Sequence, residues 1–236
     1  MIRITDVQKS FNRNQVLKSV NLEITPGSTT AILGPNGSGK TTLLKSILGL
    51  VIPQKGEVYF NGKPTVGKWE HRKQIAYLPQ VARFPENLKV NELIQLVKDI
   101  RESPGDERTL IERFSLEPFL NKSLRNLSGG TRQKVNVVLA FMYDNPLIIL
   151  DEPTVGLDPV ALIHLKELIS REKAKGKTIL LTTHIMSVVE ELADEIVFLL
   201  EGKIYFQGSL TEMNALSQQA DLEHSIAQIL IKEAHV

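Results

Sequence analysis

The spacing of hydrophobic residues changes along the chain and divides it into three parts. At the start of the first part, residues 1–84, apolar positions alternate with polar ones, as at Leu22 and Ile24, which predicts a small antiparallel sheet. From about 85 to 144 the spacing becomes helical. In residues 145–236 short apolar runs without alternation follow helical stretches, which is typical of parallel strands buried on both faces.

These parts predict an α/β fold in which the 236 residues form a single domain. Residues 1–84 and 145–236 would form the core, with a mostly parallel sheet and an N-terminal antiparallel β subdomain. Residues 85–144 would form an inserted helical subdomain. A closing hairpin is expected near residues 196–207, and Leu222, Ile226, Ile229 and Leu230 form an apolar stripe in a helix-prone tail.

Composition excludes several classes of protein. Charged residues are 23% and the formal net charge is +1, so no electrostatic argument favours nucleic acid or an anionic membrane surface. The chain has no cysteine, which excludes disulfides and thiolate metal sites. No apolar run approaches eighteen residues, and Met1–Lys9 alternates like a strand and not like a signal peptide. We therefore expect a cytoplasmic location.

The strongest chemical signal is Gly34–Thr41, which fits the pattern G-x-x-x-x-G-K-[ST] at every fixed position. A buried strand is expected before it at Thr29–Leu33, and a helix after it, so bound phosphates would meet a helix N-terminus. Lys40 can reach the β and γ phosphates, and the Thr41 hydroxyl can ligate Mg²⁺. The predicted nucleotide contacts here are Gly34, Pro35, Asn36, Gly37, Ser38, Gly39, Lys40, Thr41 and Thr42.

Two carboxylates follow the apolar run 147–150, at the end of a strand where parallel sheets bind ligands. Successive side chains on a strand point opposite ways, so Asp151 and Glu152 are expected to differ in role. Asp151 would hold the Mg²⁺ shell, and Glu152 would act as general base for water. His184 follows the next strand and is either a γ-phosphate contact or an ordinary surface or core residue.

Three further signals stay ambiguous when each is taken alone. Phe11 is either a platform for an adenine ring or a core aromatic residue. Ser128-Gly-Gly130 opens a helix and is either an anion site or a plain N-cap. Gln80 ends a strand and by itself indicates only a surface position.

Taken together, the order and approximate spacing of these motifs resemble the ATPases of ATP-binding-cassette (ABC) transporters over nearly the whole chain. The matching stretches are Gly34–Thr41, Gln80, Leu127–Gly130, Ile148–Glu152, Asp158 and His184. The resemblance implies ATP and Mg²⁺ as ligands, with Gln80 sensing the metal and coupling to a membrane subunit. It also implies that Glu152 polarises water, that His184 stabilises the transition state and that Phe11 stacks on adenine.

The resemblance further implies a homodimer that sandwiches ATP. Ser128, Gly129 and Gly130 would contact the γ-phosphate bound to the opposite copy, and Asp158 would lie in the loop that joins the two sites. Integral membrane transporter subunits are the other expected partners, and nucleic acid is not expected. The chain would then sit peripherally on the inner face of the cell membrane. Thr131 departs from the family, because many members have Gln at that position.

The sequence leaves several hypotheses on the function. The stretch Asp151–Pro159 and the brief tail resemble ATPases of small bacterial exporters, and the regulatory domain of many importers does not fit after Gly208. A soluble ABC protein that acts on ribosomes or nucleic acid is the alternative, although such proteins usually carry two cassettes or a long coiled-coil insertion. A P-loop kinase or GTPase is disfavoured by the Ser-Gly-Gly helix start and by the absence of Asn-Lys-x-Asp.

Overall fold

The computed structural model describes residues 1–217 together with residues 222, 224, 226 and 227. Across these residues the strands are β1 (Ile2–Phe11), β2 (Asn14–Ile24), β3 (Thr29–Leu33), β4 (Lys55–Phe60), β5 (Lys63–Pro64), β6 (Ile75–Leu78), β7 (Leu147–Asp151), β8 (Thr178–Thr182), β9 (Glu195–Leu200) and β10 (Lys203–Gly208). The α-helices are α1 (Lys40–Ile47), α2 (Val90–Arg101), α3 (Arg108–Arg113), α4 (Gly129–Phe141), α5 (Pro159–Ala174), α6 (Met186–Leu192) and α7 (Leu210–Ser217).

The N-terminal strands form the antiparallel sheet that the alternating pattern predicts, in the order β2-β1-β4-β5. Ile2 pairs with Ile24 and Ile4 with Leu22, and all four side chains are buried. The turn between β1 and β2 is tight, because Asn12 adopts a positive φ of 54° and the second strand begins at Asn14. Asn14, at the start of β2, lies near the loop that follows β3.

The second sheet has the order β10-β9-β3-β8-β7-β6 and is parallel except for β10, which pairs antiparallel with β9 in the predicted closing hairpin. Every residue of β3, β7 and β8 is buried, which explains why these strands are mostly apolar and do not alternate. Their carboxyl ends meet at one edge of the sheet. This edge carries the chemistry predicted from the sequence.

Each face of the parallel sheet supports its own hydrophobic core. On β3, Ile32 packs into a core shared with the N-terminal sheet and α1, whereas Leu33 packs into the core beneath the helical segment. Ile149 and Leu150 on β7 divide in the same way. The sheet is thus fixed from both sides, which confirms the predicted fold class, a layered α/β arrangement with an antiparallel sheet on one side.

Between β6 and β7 the chain forms α2, α3 and α4, as the helical spacing predicts. Short 3₁₀ turns were not predicted; they occur at Glu70–Gln74, Glu117–Phe119 and Leu124–Asn126. The sequence also did not predict α6. In the tail, Leu222 is buried, and the Ile229 and Leu230 positions of the predicted stripe lie outside the described residues. Among the residues that the structure describes, no helix is long and apolar enough to cross a membrane.

Candidate active site

The loop between β3 and α1, residues 34–41, is the phosphate cradle, and two of its glycines are required by close contacts. A Cβ on Gly34 would lie 2.0 Å from the carbonyl oxygen of Leu199, and one on Gly39 would lie 2.9 Å from the carbonyl oxygen of Val16. Both also have positive φ, at 148° and 109°. The loop therefore lies against neighbouring backbone in a shape that other residues would not allow.

Lys40 lies at the first position of α1 and is held inside the cradle. Its ammonium donates to the carbonyl oxygens of Gly34, at 2.7 Å, and Pro35, at 3.2 Å. Burial lowers the pKa of Lys40, and the negative charges of Glu152 and Asp151 oppose that shift. The side chain thus places a positive charge in the half-buried mouth of the cradle, at the point where the helix N-terminus also favours anions.

Asp151 ends β7 and is surrounded by hydroxyl groups. The Thr41 hydroxyl donates to Asp151 Oδ2 at 3.0 Å, and the Thr182 hydroxyl donates to Oδ1 at 2.7 Å. Asp151 is only 1% exposed, so its charge acts over a short distance with little screening. Burial and the charge of Asp151 raise the pKa of the neighbouring Tyr77 to about 12. Carboxylate and hydroxyl oxygens are ligands that Mg²⁺ prefers.

Glu152 follows the strand in a left-handed conformation, with φ at 50°, and its backbone N–H donates to the Thr182 hydroxyl at 2.9 Å. Its buried carboxylate lies 2.9 Å from Nδ1 of the exposed His184. The alternation argument from the sequence does not apply to this pair, because β7 ends at Asp151 and the backbone turns at the next residue. Both carboxylates consequently line the same cavity.

A cavity of 480 Å³ joins these groups. Most of its lining was predicted from the sequence, and the residues that line it are Asn14, Val16, Asn36, Gly37, Gly39, Lys40, Thr41, Thr42, Gln80, Asp151 and Glu152. Asn14 and Val16 were missed, since nothing in the alternating pattern of β2 separates a cavity residue from a core residue. Their nearness to the cradle loop follows from the packing of β2 against that loop, which belongs to the other sheet.

Other predicted contacts lie beside the cavity and not on its wall. Ser38 is buried within the cradle, where its backbone N–H donates to Pro35. Phe11 is 47% exposed, with the ammonium of Lys9 lying 5.1 Å from the centre of its ring. The role of Phe11 in base stacking therefore stays a prediction, whereas Val16 already faces the cavity.

The signature segment, residues 127–130, lies away from the cavity at the start of α4. Ser128 is the N-cap, and its Oγ accepts the backbone N–H of Thr131 at 3.2 Å. The hydroxyls of these two residues are also 2.8 Å apart. Ser128 and Gly129 are exposed. Thr131 is therefore a direct neighbour of the signature hydroxyl.

Asp158 also lies outside the cavity, at the N-cap of α5. One carboxylate oxygen accepts the backbone N–H of Ala161 at 2.9 Å, and the other lies 2.6 Å from the ammonium of Lys134 on α4. The hydrogen bond from Lys134, followed by that from Ala161, lowers the pKa of Asp158. Both oxygens have partners within the chain, so Asp158 links α4 to α5.

Comparison with known proteins assigns the class. The family model described as ABC transporter matches residues 17–155, more than half of the chain and the span from β2 to just beyond Glu152. The chain therefore belongs to the ABC transporter family, as an ATPase subunit.

Individual proteins of this kind are similar over most of the chain. The lantibiotic transport ATP-binding protein SrtF of Streptococcus pyogenes is 32% identical over 210 residues, which cover 88% of this chain and 90% of that protein. The Nod factor export ATP-binding protein I of Cupriavidus metallidurans is 32% identical over 219 residues, covering 90% of this chain and 72% of that protein.

Solved structures agree with this assignment. The ATP-binding subunit of an ABC transporter matches with a TM-score of 0.90 and 31% identity, covering 98% of this chain and 99% of that one. The cassette MJ0796, in a dimeric post-hydrolysis state bound to ADP and Pi, matches with a TM-score of 0.79 and 27% identity over 89% of this chain and 99% of that one. A ribosome-acting protein is not favoured by any of these similarities.

Proposed function

We propose that the chain hydrolyses MgATP as a homodimer and drives export through separate integral membrane subunits, from the inner face of the cell membrane. The observation that carries this proposal is the single cavity in which Lys40, Thr41, Asp151 and Glu152 meet. Lys40 would bind phosphate there, Thr41 and Asp151 would bind the metal ion, and Glu152 would contact water. Residues 1–84 and 145–236 would act as the core, and residues 85–144 as the helical subdomain that moves against it.

Phosphate binding falls to the cradle. Its backbone N–H groups and the N-terminus of α1 favour an anion. The ammonium of Lys40, which now contacts two carbonyl oxygens, would exchange them for β- and γ-phosphate oxygens, a stronger charge-assisted interaction. Thr42 lines the same wall, and Val16 and Phe11 would meet the adenine ring.

The oxygen cluster at Thr41 and Asp151 fits Mg²⁺. Its two protein oxygens match the way this ion usually binds, through one or two protein ligands together with substrate phosphates and water. In the described part of the chain no group of three or more His, Cys, Asp or Glu side chains could hold a metal by itself, which agrees with such a shared site. Thr41, Asp151 and Gln80 would hold the ion, which neutralises phosphate charge when bound.

Glu152 is the proposed general base. Its carboxylate would accept a proton as water attacks the γ-phosphorus, while the bond from that phosphorus to the bridging β-oxygen breaks and ADP leaves. His184 is within hydrogen-bond distance of the same carboxylate. The rest of its ring is exposed, so it could contact the transferred phosphoryl group. The pair places a proton acceptor and a hydrogen-bond donor side by side.

The signature segment supports the dimer. Ser128 and Gly129 are exposed and do not line the chain's own cavity, so their backbone N–H groups and hydroxyl are available to a nucleotide held by another copy. The dimeric state of the MJ0796 cassette supports the same arrangement. Ser128, Gly129 and Gly130 would thus complete the partner's site, while Asp158 lies between the two sites.

Export is the proposed direction of transport. The relatives include proteins named for lantibiotic transport and for Nod factor export, and this chain covers most of the length of both. The membrane subunits would contact the helical segment that follows Gln80, so that closure of the dimer moves them.

The deciding experiment is the Glu152→Gln variant, which keeps the shape of the side chain and removes the base. We expect ATP turnover to fall by about a hundredfold to ten-thousandfold, and MgATP to convert the variant from monomer to dimer in light scattering. Glu190→Gln, an exposed change on α6, is the control and should leave both unchanged. Normal turnover in Glu152→Gln would overturn the base assignment, and failure to dimerise would overturn the sandwich.

A further inference from the structure

The start of α4 is fastened to the linker loop, residues 153–158, by three separate contacts. The Lys134 ammonium lies 2.6 Å from Asp158 Oδ2, and the buried Gln133 side chain donates to the Pro153 carbonyl oxygen at 3.1 Å. At Gly130 the backbones approach so closely that a Cβ would lie 2.6 Å from the Gly156 carbonyl oxygen. Helix α4 therefore contacts the linker loop at its beginning, middle and end.

The same loop is continuous with Glu152. It begins at the next residue, and the backbone N–H of Val155 donates to the Glu152 carbonyl oxygen at 3.3 Å. At its other end Asp158 caps α5. A displacement of α4 can thus reach the backbone of Glu152 through a short loop that is tied at both ends.

We propose that Lys134 is a positioning residue, which through Asp158 links the chain's own signature helix to its own Glu152. The inference rests on the proposed function, because the signature segment is taken to bind the nucleotide of the partner. Binding there would pull α4 inward, and the ion pair would carry that movement along the linker loop. Nucleotide binding at one site of the dimer would then change the position of the base at the other site.

The ion pair is suited to this role because it contributes little to stability. Lys134 and Asp158 have side chains that are 22% and 49% exposed, and ion pairs of such exposure typically contribute less than about 1 kcal/mol. Lys166 and Glu191 form an ion pair between α5 and α6 with nearly the same exposures, 22% and 53%. This second pair touches neither α4 nor the linker loop in the described contacts, and it offers a matched control.

The experiment measures turnover against ATP concentration for Lys134→Met, Asp158→Asn, the double variant and Lys166→Met, all in the full chain. Asn keeps the N-cap of α5 and removes only the charge. We expect either single change to lower kcat about fivefold to tenfold and to bring the Hill coefficient close to one, with little change in the affinity of the monomer for a fluorescent ATP analogue. The double variant should match the single ones, and Lys134→Arg should restore most of the loss.

Several results would overturn the inference. Equal turnover and cooperativity in Lys134→Met and Lys166→Met would make Lys134 an ordinary surface residue. Losses that multiply in the double variant would show that the two residues act separately, and a fall in Tm that tracks the loss of activity would indicate a structural role. A wild type without ATP turnover would instead contradict the proposed function, which keeps the two failures distinct.

Discussion

The phosphate cradle and the signature segment are both glycine-containing loops that lead into a helix, but the protein builds them in opposite ways. The cradle is enclosed: Lys40 is bonded to the loop's own carbonyl oxygens, and Gly34 lies against the backbone of β9. The signature segment is open. Ser128 is exposed and contacts the neighbouring Thr131, and a Cβ on Gly129 would meet nothing within 4 Å.

This difference explains why one motif was easy to interpret and the other was not. The cradle contains its whole context in one chain, namely the strand β3, a lysine and a carboxylate from β7, which lies two strands away in the same sheet. The signature segment is exposed, and in the proposed homodimer the groups that would complete it belong to the other copy. In a homodimer both halves of such a site are present in one sequence, but no local pattern shows that they meet.

The largest expected effects are losses of ATP turnover, and they distinguish the cradle from the signature segment. Lys40→Met should lower turnover at least about a hundredfold and weaken ATP binding by the monomer, since it removes a charge-assisted contact to phosphate. Ser128→Ala should also lower turnover about a hundredfold, as loss of a transition-state donor does, but should leave ATP binding by the monomer unchanged. Isothermal titration calorimetry and phosphate release measure the two quantities.

Mixing the two inactive variants sharpens the comparison. In a mixed dimer one site combines the intact cradle of Ser128→Ala with the intact signature segment of Lys40→Met, so part of the turnover should return. Each variant mixed with itself gives no such site. If the mixture stays as inactive as its components, the signature segment does not act on the nucleotide of the partner.

An intermediate effect concerns stability. Gly130→Ala should lower the free energy of unfolding by about 1–3 kcal/mol, because its Cβ would overlap the Gly156 carbonyl oxygen. Gly129→Ala faces open space and should instead raise it by up to about 1 kcal/mol, since alanine restricts the unfolded chain. Thermal unfolding followed by circular dichroism compares them, and equal Tm values would contradict the close contact between α4 and the linker loop.

The smallest effect concerns Thr131. Thr131→Val removes a hydroxyl 2.8 Å from that of Ser128 but keeps the backbone N–H that Ser128 caps, so turnover should fall only about threefold. Thr131→Ser keeps the hydroxyl and is the control. The threefold loss should vanish when Ser128 is already alanine, and a loss that persists would mean that Thr131 contacts the nucleotide by itself.

Much of the fold could be predicted because its strands are fully buried or strictly alternating. The bounds of β3, Thr29–Leu33, were predicted to the residue. Helix α6 was missed because it has only seven residues and starts after Ile185 without a capping side chain. Periodicity is weak evidence over so short a span.

At the site, the sequence indicated groups but not their environment. Lys40, Asp151 and Glu152 follow from motif and position, whereas the positive φ that turns Glu152 into the cavity is visible only in the folded backbone. Val16 lies on the cavity wall because β2 packs against Gly39 of the cradle loop, and no local pattern records that contact. Lys134 was not noticed, since a lysine on a helix ordinarily indicates a solvated face.

The strand order also bears on how the protein is made. The strand before the cradle, β3, pairs with β8 and β9, whose last residue is Leu200. At a synthesis rate of roughly 5–20 residues per second, the first of these segments waits about ten seconds or more for its neighbours. Until then the cradle loop lacks the backbone of Leu199 against which Gly34 rests. A nascent chain therefore completes the nucleotide cradle only after about residue 200 has been synthesised, and ATP binding can serve as a sign that this sheet has formed.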